Sequence, residues 1–79
     1  MTVNELFLCF VYWFDKVRYW DDETETGEEI IIYETDGEIL HEDRHNEFLD
    51  KYGNYIVTNW IYFWSDNWID LTIRKEKDK

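Results

Sequence analysis

Proline is absent from this chain, cysteine occurs once and glycine three times. Without proline there is no cis X-Pro turn, polyproline linker or proline-kinked helix, and turns fall to Gly, Asp and Asn. With Cys9 alone, an internal disulfide is excluded, and the cytoplasm is the expected setting. Cys9 sits in an apolar stretch without a basic neighbour close in sequence, so it reads as a small buried apolar residue and not as a nucleophile. Long hydrophobic runs are missing too. The longest, Leu6–Phe14, falls far short of the ~20 residues of a membrane helix. No basic segment precedes it and no small-residue cleavage site follows it, so it lacks the form of a signal peptide. The sequence has no glycine-rich phosphate loop, nucleophile elbow or dinucleotide fingerprint. It is therefore read as a non-enzyme without a cofactor.

Positive charge is scarcest where negative charge is densest. Residues 21–50 hold thirteen acids, namely Asp21, Asp22, Glu23, Glu25, Glu28, Glu29, Glu34, Asp36, Glu38, Glu42, Asp43, Glu47 and Asp50, against Arg44 alone, a local charge of −12. The rest of the chain sums to +1, which gives the whole its net −11. Concentrated like charge opposes the compact state. It also argues against direct binding to nucleic acid or to an anionic membrane, and it favours basic proteins or cations. What sustains a fold of only 79 residues is the aromatic content, 20% of the chain, on either side of the acidic block. Hydrophobic residues make up 44%, which excludes disorder by composition. The chain is read as a single domain, 1–79, with 75–79 as a fraying basic tail.

The expected fold is α+β, an antiparallel sheet of about five strands in the order β-β-β-α-β-β with one short helix packed on it. Leu6–Trp20 is dense in strand formers and apolar on both faces, which predicts one long central strand. Asp21–Gly27 reads as an acidic loop. Glu28–Glu34 and Glu38–Asp43 read as a hairpin around Asp36-Gly37, pairing Tyr33 with Leu40. Arg44–Tyr52 places His45, Phe48, Leu49 and Tyr52 on one helical face, with Gly53 or Asn54 as the stop. Tyr55–Trp64 and Trp68–Arg74 form a second hairpin. A turn at Asp66-Asn67 would set Trp64 opposite Ile69, Tyr62 opposite Leu71 and Trp60 opposite Ile73.

Three patterns carry possible chemistry. His41-Glu42-Asp43-Arg44-His45 matches H-E-x-x-H, and in these five residues alone the chain resembles zinc-dependent metalloproteases. The two central positions are charged, and the hairpin is expected to hold His41 on a strand, so His41 and His45 stay weak metal candidates. Asp22–Gly27 puts a glycine where an EF-hand loop has one, but Thr24, Thr26 and Tyr33 stand where the calcium ligands belong. The third pattern is the acidic block. Asp21, Asp22, Glu23, Glu25, Glu28, Glu29, Glu34, Asp36, Glu38, Glu42 and Asp43 are taken as a partner-binding surface that folding gathers on one side.

In size, acidity, aromatic content and lack of catalytic motifs, the chain is similar in class to small acidic phage or mobile-element proteins that inhibit nucleic-acid enzymes, such as anti-restriction and anti-CRISPR proteins. No specific motif carries this likeness, so no functional residues transfer with it. The expected partner is the basic groove of a nucleic-acid-binding enzyme in the host cytoplasm, met by carboxylates that mimic phosphates. The alternative is a self-associating module, a homodimer through exposed aromatics or sheet edges, whose acids only solubilise it.

Overall fold

The computed structural model describes residues 1–76, so Lys77–Lys79 of the expected tail lie outside the described residues. The elements are α1 (Val3–Leu8), β1 (Lys16–Asp21), β2 (Thr26–Ile31), β3 (Tyr33–Glu34), β4 (Ile39–Leu40), α2 (Glu42–Tyr52), β5 (Ile56–Phe63) and β6 (Trp68–Arg74). Four strands make one sheet in the order β2-β1-β6-β5, and β3-β4 form a separate ribbon. The α+β class and the single domain stand. The sheet is mixed, however, because β1 runs parallel to β6 while the other pairs are antiparallel.

The parallel pair follows from α2. The β2 strand ends beside Lys16, whereas β5 starts at the opposite end of the sheet, beside Arg74. The eleven residues of α2 span about 16 Å and return the chain across one face, close to the length of a six-residue strand. β5 therefore takes the direction of β2, and β6, its hairpin partner, runs with β1.

The long strand expected over Leu6–Trp20 exists only from Lys16 onward. The chain instead begins with α1, closed by a capping box. The Thr2 hydroxyl accepts from the Glu5 amide at 3.2 Å, and the Glu5 carboxylate accepts from the Thr2 amide at 3.0 Å. Thr2-x-x-Glu5 satisfies two amides that a strand would leave to neighbours, and it turns Val3 and Leu6 onto one face. Cys9, placed in the core by the sequence reading, is exposed at the end of α1.

Both helices cover the same face. Val17 and Tyr19 of β1 and Ile69, Leu71 and Ile73 of β6 meet Val3, Leu6, Phe14, Ile32 and Phe48 in one core. Phe48 lies 5.8 Å from Phe7 of α1 and 5.6 Å from Tyr19 of the sheet, ring centre to centre, so it ties the two helices to the sheet. The helical face His45, Phe48, Leu49 and Tyr52 is turned inward as expected. Gly53 ends α2 where any side chain would run into the Leu49 carbonyl and Asn4.

The second hairpin is shifted by two residues from the expected register. Tyr62 pairs with Ile69 and Trp60 with Leu71, and a bulge at Thr58 brings Val57 opposite Ile73. A two-residue shift leaves every side chain on its face, so hydrophobic alternation is blind to it. The turn decides instead. Asn67 adopts φ 50°, accepts from the Tyr62 hydroxyl at 2.8 Å, and donates to the Trp13 carbonyl and the Asp15 carboxylate at 3.0 Å each. In the first hairpin Tyr33 does pair with Leu40, and the His41 amide extends the ribbon by donating to the Ile32 carbonyl at 2.6 Å.

Candidate protein-binding surface

Strand order divides the acids from the rings. β2 is one edge of the sheet and β5 the other. The turn at 22–25 lies at one end of β2, and the β3-β4 ribbon continues from the other. Asp22, Glu23 and Glu25 are exposed in that turn, Glu28 and Glu29 along β2, Glu34, Asp36 and Glu38 on the ribbon, and Glu42 and Asp43 in the first turn of α2. The acidic block thus becomes a rim along one edge of a molecule with principal extents of 44 × 20 × 20 Å. It is spread along the edge and not drawn into one patch, and Glu28 and Glu29 point to opposite faces because neighbours on a strand alternate.

Asp21 does not join the rim. Its carboxylate is buried and accepts from the amides of Glu23 at 3.0 Å and Thr24 at 3.4 Å, which pins the β1-β2 turn. Arg44, the single base of the block, donates to the Ile31 carbonyl at 3.1 Å and covers part of the β2 edge. Among the described residues one Lys/Arg ion pair occurs, Lys16–Glu29 at 3.8 Å, and the His41 Nε2 lies 3.3 Å from a Glu34 carboxylate oxygen. Most carboxylates of the rim therefore face water with no cation of their own.

The sheet face away from the helices is open. Glu29, Arg18 and Asp70 form one cross-strand row on it, Ile31, Lys16, Trp68 and Phe63 the next. Lys16 lies 4.1 Å above the Trp68 ring, and Phe63 stacks on Trp68 at 4.1 Å with 10° between planes. Trp20 stands beside Gly27, half-exposed.

The H-E-x-x-H residues are placed differently from expectation. His41 is the N-cap of α2, not a strand residue, and its imidazole meets Glu34. His45 is buried and stacked on Trp13, with ring centroids 3.8 Å apart. No group of three or more metal-ligating side chains comes together among the described residues. A cleft of about 330 Å³ borders His45, walled by Phe7, Phe10, Trp13, Phe14 and Leu49. The EF-hand-like segment is split between a turn and a strand, with Thr24 and Thr26 hydroxyls bonded to each other at 2.7 Å. No helix is long and apolar enough to cross a membrane among the described residues.

Sequence reasoning allows for exposed aromatics or sheet edges but does not place them on β5. Trp60, Ile61, Phe63 and Trp64 are all exposed along that edge. The signal was present. Ile56–Phe63 contains no charged residue on either face, unusual for a strand with one open side.

In comparisons with known proteins, no family model, curated protein or solved structure matches the chain.

Proposed function

We propose that this protein is a non-enzymatic binding module whose acidic rim occupies the basic groove of a nucleic-acid-binding enzyme in the cytoplasm, in the manner of anti-restriction or anti-CRISPR inhibitors. The observation that carries this reading is the scarcity of internal partners. A solvated face gains from interleaved bases, yet among the described residues the rim keeps Asp22, Glu23, Glu25, Glu28, Asp36 and Glu38 without an ion pair. Such carboxylates are held on strands and tight turns, so little order is lost when they meet Lys and Arg. Fields of this kind speed encounter and make binding salt-sensitive.

The test uses immobilised protein and a host lysate at about 0.05 M and 0.5 M NaCl. Captured protein should be released by high salt and by duplex DNA or RNA. The charge-reversed variant Asp22→Lys, Glu25→Lys, Glu29→Lys should capture none of it. Capture that survives this reversal, or that nucleic acid does not compete, would remove the rim from the interface.

A further inference from the structure

The opposite edge of the sheet has the properties of an interface between two copies. β5 is the free edge, and only its start is covered. The Val57 amide donates to the Met1 carbonyl at 2.9 Å, and Thr2 bridges to Ile56. Among the described residues the outer edge from Asn59 to Phe63 meets no other strand, and it carries no charge, proline or glycine to discourage pairing. It is flanked by apolar surface on both faces. Ile61 and Phe63 stand on the open face, and Trp60 stands on the helix side next to Phe10, 6.2 Å ring to ring.

We infer that the protein forms a two-fold dimer by antiparallel pairing of β5 with β5 of a second copy, centred on Ile61. Centring there sets Ile61 against the partner's Ile61, Trp60 against the partner's Tyr62, and Asn59 against the partner's Phe63. The choice of a second copy rests on charge and area. In a chain of net −11, contact through β2 would bring two acidic rims together. Contact through the open face would have to match Lys16, Arg18, Glu29 and Asp70. Contact through β5 brings no charged side chain of the strand against another and sends the rims to the two outer edges of an eight-stranded sheet. Trp60, Ile61, Phe63 and Trp64 are 43, 52, 37 and 81% exposed. For side chains of this size that is about 500 Å² per copy, so up to about 1,000 Å² of mostly apolar surface is open to burial by pairing, the threshold of a specific interface.

Sedimentation equilibrium should give twice the 9.9 kDa chain mass at micromolar concentration. Raising the salt should leave the dimer as tight or tighter, since it screens repulsion between the protomers. Ile61→Lys opposes two like charges at the two-fold and should give a monomer with an unchanged far-UV spectrum. A second variant keeps the test sound if that chain misfolds. With Cys9→Ser in the background, Ile61→Cys places two thiols across the axis at about 5 Å between Cβ atoms and should form a covalent dimer on mild oxidation. Glu29→Cys, on the far edge, should not. A monomer at up to about 0.5 mM, a dimer that Ile61→Lys leaves intact, or cross-linking at 61 no faster than at 29 would each overturn the assignment.

Discussion

The imidazole of His45 is sandwiched between Trp13 and the core, with 9° between the two ring planes, and its Nδ1 finds no partner among the described residues. Burial pushes its pKa below the ordinary histidine value of 6.5, because the imidazolium would lose its hydration. The neighbouring Asn46 side chain and the charge of Glu42 pull the other way without reversing the shift. Below 6.5 the unfolded chain then binds a proton that the folded chain refuses. Stability is full above that pH and declines as acid is added, until the folded pKa is reached. Urea unfolding between pH 7.5 and 5 should show this decline, and His45→Phe, which keeps the stack on Trp13, should flatten it. An unchanged slope in the variant would assign the effect to groups other than His45. In the sequence His45 is a weak metal candidate and Asp21 a partner-binding acid. Both belong to the scaffold, because burial depends on which distant residues arrive, and spacing along the chain does not carry that information.

At the scale of elements, what was legible had a local cause. The α2 face, the Tyr33–Leu40 pairing and β6 all follow from periodicity over a few residues. What was not legible depended on longer range. The segment Leu6–Phe14 is apolar without a period, so composition suggested a strand, and only the capping box marks a helix there. The parallel β1-β6 pair arises from the path of α2, which no strand sequence records. The rim was legible in outline, since its residues were all named, but its spread along the β2 edge follows from strand order alone. The α1 argument yields a direct check. Thr2→Ala removes the acceptor for the Glu5 amide and should lower stability by about 1 kcal/mol, while Thr2→Ser restores it. Because Val3 and Leu6 are fully buried, the loss should appear in the global thermal or urea transition and not as local fraying alone. A wild-type midpoint for Thr2→Ala would mean that the burial of Val3 and Leu6 holds α1 without its cap.

For the whole molecule the deciding quantity is a net charge of −11 set against a single Lys/Arg ion pair, Lys16–Glu29, among the described residues. Salt weakens both attraction and repulsion, and here there is far more repulsion to weaken. The Debye length falls from about 14 Å to about 4 Å between 0.05 M and 0.5 M NaCl. At the lower salt, carboxylates on the turn at 22–25 still feel those along β2, and these in turn feel those on the β3-β4 ribbon. At the higher salt each sees little beyond its neighbours. Folding compresses these charges into one edge, so screening should stabilise the folded state, and a gain of about 1 kcal/mol corresponds to roughly 4–8 °C in Tm for a domain of this size. Calorimetry across that salt range should show Tm rising, where a protein held by surface ion pairs would show it falling. The variant Asp22→Lys, Glu25→Lys, Glu29→Lys is the informative control. It removes three negative charges and adds three positive ones on the rim, so its Tm should start higher at low salt and climb less. Equal slopes would place the repulsion in the unfolded chain as much as in the folded one, and the rim would then hold no electrostatic energy for a cationic partner to release.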